Sequence, residues 1–302
     1  MQVYPGVYHI EVPFSDRMVS VYLLRGERAL LVDSGVADSP ESAILPRLAQ
    51  IGLGPRDIFG VVNTHAHTDH CGGNHQLKAA NPSLHIMALE EERADVEDPV
   101  TAIHTLFDPY RQILGDAATD AGIQWNVQNL GPGTPVDCPL SNGSCLWLAE
   151  DWPIQVHHVP GHTTGHLSLF DPRHGAAFIG DAVGWKGTLT GDQFTSLPPY
   201  LDPDAYLETI RRVRSWHPEC LCTSHYSVLR HSEIARFLDE SEALFLQIDD
   251  IVRRVLSASA TRPGLAQVVR EVLDALGGDY LFDVCAASTV DAHVRRLGAK
   301  AQ

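Results

Sequence analysis

A layered α/β fold is predicted by three observations in the amino-acid sequence. Strand-like and helix-like segments alternate through the first third, short strand-like runs return between residues 145 and 181, and apolar groups recur at helical spacing after residue 232. Taken in order, residues 19–24 and 29–32 are β-rich runs joined by Arg25-Gly26-Glu27-Arg28, which reads as a hairpin, and Asp33-Ser34-Gly35 ends the second run. The spacing predicts a helix over 40–51, with Ser39 as N-cap and a kink at Pro46. Residues 58–63 form a short apolar run that fits a buried strand, and 84–88 the next one. Between 90 and 140 the pattern weakens to helical patches at 90–96 and 100–114, followed by Gly131-Pro-Gly-Thr-Pro135, the make-up of a lid or cover. Strands are predicted at 145–148, 154–159, 167–170 and 176–179. A helix follows over 204–216, with Asp202 as N-cap and Pro203 at its start. The tail reads as amphipathic helices interrupted at 257–263 and at Gly277-Gly278, with a last helix over 289–297 capped by Ser288.

The 302 residues carry 22 Lys+Arg against 38 Asp+Glu, a formal net charge of -16 with histidine neutral. Such a field repels polyanions, so neither nucleic acid nor an anionic membrane surface is expected as a partner. No 18 uncharged apolar residues run together and the first residues lack a basic-then-apolar leader pattern, so a cytoplasmic location is expected. Cysteines 71, 138, 145, 220, 222 and 285 make no CxxC pair and read as free thiols. Histidine is the unusual count, at 16, and its clustering carries information.

Directly after the predicted strand at 58–63 comes Thr64-His65-Ala66-His67-Thr68-Asp69-His70. On extended backbone, side chains two apart share a side, so His65 and His67 can reach one point. Asp69 and His70, at the turn into a helix, reach another. Two adjacent metal sites follow naturally, and imidazoles with a carboxylate suit zinc, with iron or manganese as competitors. Three further candidates stand at predicted strand ends: His162 in Pro160-Gly161-His162-Thr163-Thr164-Gly165-His166, Asp181, and His225. Loops on one rim of a layered sheet can bring such residues together.

These motifs resemble the metallo-β-lactamase-fold hydrolases: the HxHxDH run, the downstream Gly-His, an Asp about 20 residues on and a final His. The resemblance covers about residues 1–230 and implies an α/β (α+β) four-layer βα/αβ sandwich with a helical C-terminal extension. It implies that His65, His67 and His162 hold a first metal, that Asp69, His70 and His225 hold a second, and that Asp181 bridges both. Asp33 matches the family's early Asp, a support for the ligands, with a turn residue ending a strand as the alternative. GHTTGH and the chain length look closer to glyoxalase II and related thioester or lactone hydrolases than to antibiotic-degrading lactamases. The basic glutathione-binding residues of glyoxalase II have no match in the C-terminal region. The domains expected are 1–231, catalytic, with 90–140 as lid or insert, and 232–302, the helical extension.

Two Zn²⁺ about 3.5–4 Å apart can share a hydroxide that is a nucleophile at neutral pH, so no serine or cysteine nucleophile is required. The expected reaction is attack of that hydroxide on an acyl carbonyl of a small-molecule substrate, with Asp69 as the catalytic residue that orients the water. Cys71 reads as a buried thiol rather than a nucleophile. His166 is either a hydrogen-bonding support for the ligands or an ordinary loop histidine. Trp185, Lys186, Phe194 and Tyr200 are candidates for the substrate pocket, the aromatics alternatively closing the core and the lysine alternatively being solvated. The C-terminal helices are expected to be plain packing, to cover the pocket or to form a homodimer. A mononuclear iron persulfide dioxygenase of the same fold is the alternative activity, and a regulatory, signalling-thioesterase-like protein the third reading.

Overall fold

Strands that bury side chains on both faces form the centre of the molecule, whose computed structural model describes residues 1–14, 17–258 and 262–299. The first sheet runs β1 (Gln2–Tyr4), β2 (Val7–Phe14), β3 (Arg17–Arg25), β4 (Ala29–Val32), β5 (Ile58–Val62), β6 (His85–Leu89) and β7 (Cys138–Leu140) in sequential order. Its first four strands are antiparallel neighbours, and β4 to β7 pair in parallel. The other strands are β8 (Cys145–Ala149), β9 (Trp152–His158), β10 (Leu167–Asp171), β11 (Ala176–Gly180), β12 (Thr188–Thr190), β13 (Gln193–Ser196), β14 (Cys220–Thr223) and β15 (Leu229–Arg230). Of these, β12 and β13 pair only with each other, and the rest make a second sheet in the order β15-β14-β11-β10-β9-β8.

Period-two alternation separates the layers. In β3, Tyr22 and Leu24 face the core between the sheets while Val21 and Leu23 face a second core; in β11, Ala176 and Phe178 face the inter-sheet core while Ala177 and Ile179 face a third. The second core is closed by Ile44, by Leu48 of α1 (Leu45–Gln50), and, beyond the short α2 (Thr68–Cys71), by Leu77 of α3 (Asn74–Ala80). Val96 of α4 (Arg93–Glu97) packs on the same core. Helices α5 (Pro99–Phe107), α6 (Arg111–Leu114) and α7 (Asp116–Gln128) follow, and α5 and α7 bury Ile103, Phe107 and Ile123 together. The third core lies under α8 (Pro203–Ser215) and the first half of α9 (Ser232–Ala258). A fourth joins α9 to α10 (Leu265–Leu276) and α11 (Val284–Ala299). Helix, sheet, sheet and helix therefore stack as four layers. At roughly 1.5–3 kcal/mol for each fully buried Leu, Ile or Phe, these cores hold the stack together.

The elements differ from the sequence reading in instructive places. The predicted 40–51 helix is irregular just before Pro46. That proline sits in the first turn of α1, after a π-helical turn over Pro40–Ile44 whose wider ring lets Leu45 N donate to Pro40 O. The predicted 204–216 helix is α8, where the Asp202 carboxylate accepts from Ala205 N at 3.0 Å. The last helix begins at Val284, not Thr289, so Ser288 lies inside it. Gly277 and Gly278 take φ of 69° and 82°, which turns the chain between α10 and α11. The break expected at 257–263 includes 259–261, which lie outside the described residues.

Candidate metal centre

The C-terminal ends of the parallel strands set the first ligand loop. After β5, Asn63 N donates to Met87 O at 2.8 Å, continuing the pairing with β6 by one residue. The Asn63 side chain then donates to His70 O at 2.9 Å and pairs with Asn74, which pins the loop at both ends. Asp33, just beyond β4, has φ 65°, a left-handed conformation that Asp tolerates better than most residues. Its carboxylate accepts from Thr64 N (2.7 Å), Thr64 Oγ1 (3.0 Å) and His70 Nδ1 (2.9 Å). With Nδ1 donating to Asp33, His70 turns Nε2 into the cluster, where it is buried and has no hydrogen-bond partner.

Two sets of donor atoms converge. Nε2 of His162 lies 3.2 Å from Nε2 of His65 and 3.1 Å from Nδ1 of His67. Nδ1 of His162 donates to Pro199 O at 2.7 Å, so the Nε2 that faces the other two imidazoles carries a lone pair. Lone pairs at such distances repel unless a cation sits among them, and tetrahedral Zn–N bonds of about 2.0–2.1 Å put ligand nitrogens about 3.3 Å apart. In the second set, His225 Nε2 is 3.4 Å from Asp69 Oδ2, and His70 Nε2 is 3.8 Å from Asp69 Oδ1. Asp181 Oδ2 reaches both: 3.1 Å to His225 Nε2, 3.6 Å to His70 Nε2 and 3.9 Å to His162 Nε2. All seven residues named from the sequence thus meet in one cluster.

Electrostatics divides them. Burial holds His65 and His162 below the ordinary histidine range and takes His67 to about 3, so these are neutral ligands at neutral pH. Burial alone would lower His70 as well, but the carboxylates of Asp69, Asp33 and Asp181 hold it well above the usual value, and against its burial Asp181 and Asp69 raise His225. Against its own burial, Asp181 is held well below the carboxylate range by His225 and His70. The orphaned Nε2 of His70, the ring nitrogens of His65, His67 and His162 facing one another and the half-buried carboxylates of Asp69 and Asp181 fit a divalent metal site.

Supporting groups surround the cluster. His166, stacked on His65 with centroids 4.8 Å apart, accepts from Asp181 N at 3.1 Å through Nε2 and so holds the Asp181 backbone. Gly180, with φ 54°, has to lack a Cβ, which would lie 2.8 Å from Thr64 Oγ1 and 2.9 Å from His166 Cε1. Sequence reasoning missed Glu92. It is buried, it is pushed up to about 7 chiefly by burial, and it accepts from Ala66 N (3.0 Å), Thr163 Oγ1 (3.0 Å) and Gly165 N (2.8 Å). One carboxylate therefore ties the His65–His67 loop to the His162 loop. Cys71 is buried, donates to Ala66 O and is pushed up by burial, which leaves an unreactive thiol.

A cavity of about 330 Å³ opens beside the cluster, and four residues expected to line it do not. Trp185 donates to Glu240 Oε2 at 2.7 Å, and its ring packs on Phe194, Tyr226 and Phe237, toward α9. Lys186 pairs with the same Glu240 at 3.1 Å. Tyr200 is 1% exposed, stacked on Tyr206 and bonded to His293 Nε2 at 2.8 Å. Trp185 has φ 46°, and its ring turns toward α9, while Val183, Leu189, Pro198 and Pro199 of the same segment line the cavity. The rest of the lining comes from Phe14, Arg17 and Met18 of the β2–β3 hairpin, Ile103, Leu106 and Phe107 of α5, Trp125 of α7, and Val284, Cys285 and Ser288 of α11.

Segment 186–200 is fastened to the C-terminal helices along its length. Tyr280 Oη donates to Lys186 O (3.0 Å), Leu281 N to Thr195 O (2.8 Å), Ser196 Oγ to Asp283, Thr289 Oγ1 to Pro198 O (2.8 Å), and Tyr200 Oη to His293 Nε2. Since Pro199 O is what His162 Nδ1 donates to, the extension fixes a backbone carbonyl that orients one of the clustered imidazoles.

The class defined by four layers and a His/Asp cluster at the strand ends is the metallo-β-lactamase fold. A metallo-beta-lactamase family protein from Thermus thermophilus superposes over 99% of this chain and 95% of its own, with TM-score 0.74 at 19% identity. The Metallo-beta-lactamase superfamily model matches residues 15–135, the segment with the HxHxDH run. The resemblance read from the motifs therefore stands: this is a metallo-β-lactamase-fold protein. Among curated relatives, a hydroxyacylglutathione hydrolase of Dechloromonas aromatica (strain RCB) is 28% identical over 55% of this chain. That match spans 43% of the relative's length. An acyl-coenzyme A thioesterase of Gallus gallus is 28% identical over 59% of this chain and 63% of its own length.

Proposed function

We propose that the chain is a metal-dependent hydrolase that uses two zinc ions to cleave the thioester or lactone bond of a small molecule. The observation that carries this reading is Asp181 Oδ2, which stands within 3.1–3.9 Å of ligand atoms from both sets, the position of a shared ligand. His65, His67 and His162 would hold one ion, Asp69, His70 and His225 the other, and Asp181 would serve both. When bound, such a pair supplies an activated water and a Lewis acid for the substrate carbonyl. The chain's own part is orientation. Asp33 and Pro199 O fix the rings of His70 and His162, and Asp69 orients the attacking water through a carboxylate oxygen. The water oxygen forms the new C–O bond to the acyl carbon, the C–S or ring C–O bond breaks, and the water's proton ends on the departing thiolate or alkoxide. The names of relatives, a hydroxyacylglutathione hydrolase and an acyl-coenzyme A thioesterase, support thioester chemistry.

The test is a panel of thioesters, lactones and phosphodiesters run on zinc-loaded protein and on His65→Ala. The expected result is turnover of an acyl substrate that falls at least about 10²-fold in the variant, along with its metal content. Full activity and metal in His65→Ala would contradict the reading, as would a single iron with oxygen uptake on a persulfide.

A further inference from the structure

The cavity beside the metal cluster is apolar in a specific way. Phe14 and Trp125 stack with centroids 4.7 Å apart on one side, and Ile103, Leu106, Phe107 and Val284 form a continuous wall where α5 meets α11. Most of its polar side chains away from the cluster are engaged with each other or with backbone. Thr68 Oγ1 donates to Asn126 Oδ1 (3.0 Å) and Asn126 Nδ2 to Gly122 O (3.0 Å). Tyr226 Oη bonds to the carbonyls of Gly184 and Gly187, Ser288 Oγ to Cys285 O, and Asp283 takes Ser196 Oγ and Ala286 N. Arg17 is the one lysine or arginine in the lining among the described residues, and it lies in the field of the Asp283 carboxyl. Specificity for a polar substrate arm needs donors and acceptors aimed at it, and a charged arm needs an opposite charge; these walls spend theirs internally.

We infer that the chamber takes an uncharged hydrocarbon acyl group, a medium-length alkyl chain or an aryl group, whose carbonyl end lies at the cluster. This rests on the hydrolase reading and deepens it. A volume of about 330 Å³ is the room of about eleven liquid waters at about 30 Å³ each, which a medium-length chain fills with methylenes. The walls come from the β2–β3 hairpin, the 90–140 segment, the 183–199 segment and the C-terminal extension, so chain-length selection is a property of how these pieces meet. Leu106 and Val284 are the specificity-determining residues at that meeting.

Two measurements on the zinc-loaded full chain test this. The first is binding of straight-chain carboxylates from butanoate to decanoate, followed by the fluorescence of Trp125, with Trp125→Phe as the control for signal assignment. The second is kcat/KM on thioesters of one neutral thiol with acyl chains of the same lengths, beside a charged glutathione thioester of a hydroxy acid. Binding and kcat/KM are expected to rise about three- to fourfold per methylene, which is about 0.8 kcal/mol, up to a break. Leu106→Trp is expected to move the break to shorter chains in both series. Carboxylate binding that follows chain length without turnover of any thioester would leave the chamber standing and sink the hydrolase reading. Turnover with a flat chain-length profile, or with the glutathione thioester preferred, would overturn the inference while the hydrolase reading survives.

Discussion

Glu92 shows what a single buried carboxylate can do at this site. It accepts three hydrogen bonds from two loops that lie about 100 positions apart along the chain, and no charged partner among the described residues neutralises it. Glu92→Ala leaves Ala66 N, Thr163 Oγ1 and Gly165 N without acceptors in a buried place, so a loss of about 2–4 kcal/mol of stability is expected. Metal affinity is expected to weaken about 10- to 100-fold, as supports of ligands do. Glu92→Gln, which keeps the size and one accepting oxygen but turns the other into an NH2 donor, should recover part of the thermal stability and part of the affinity. Equal losses of affinity in both variants, measured by competition with a chelator, would mean that Glu92 does not position the loops. Nothing in the sequence marks this residue, because its partners are two backbone N–H groups and one hydroxyl supplied by two loops distant from it along the chain. The seven clustered side chains were legible for the opposite reason: four stand within six residues, and the others close predicted strands.

At the scale of elements, the strap from Thr188 to Tyr200 makes the C-terminal helices part of the site. The Tyr200 hydroxyl donates to His293 Nε2, His293 Nδ1 donates to Asp249, and one residue earlier Pro199 O receives the proton of His162. Tyr200→Phe removes one neutral hydrogen bond and leaves a buried ring nitrogen unpaired. A destabilisation of about 1–3 kcal/mol is expected, with a several-fold loss of metal affinity at the His65, His67 and His162 set. Unchanged affinity despite the lost stability would show that the strap only packs. The elements missed by sequence reading share a cause. β2 contains His9 and Pro13, which break a strand pattern, yet His9 is paired across the hairpin with Ser20 at 2.8 Å and Pro13 stands near its end. α7 buries only Thr119 and Ile123, too few for helical periodicity to register. Trp185 follows Asp181 closely in sequence, but its left-handed backbone and its bond to Glu240 turn the ring toward α9, which composition does not reveal.

Across the whole molecule, Asp249 links α9 to α11 and responds to acid. The side chain of His293, with Arg253 and Arg296, holds its carboxyl down at about 2, below the value of about 3.9 expected in an unfolded chain. A depressed carboxylate contributes stability that is fully present above the unfolded value and is lost as pH falls through the folded one. The stability difference between wild type and Asp249→Asn, from denaturant melts, should therefore shrink as pH drops from about 4 to about 2. A difference that stays constant over that window would refute the linkage. Among the described residues no helix is long and apolar enough to cross a membrane, and the four-layer order follows from two-sided apolar strands readable as such in β4, β5 and β11. How the C-terminal extension joins the cavity was not legible, since it depends on the crossing of α5 and α11, which no local pattern encodes.

The central claim, that two ligand sets share Asp181, is tested most directly by metal stoichiometry. Purified protein stripped with a chelator, reloaded with zinc and freed of excess should contain two zinc per chain by elemental analysis, and Asp181→Ala should retain one or fewer under the same washing. A wild type that saturates at one ion, or an Asp181→Ala variant that keeps two with undiminished affinity, would contradict the account.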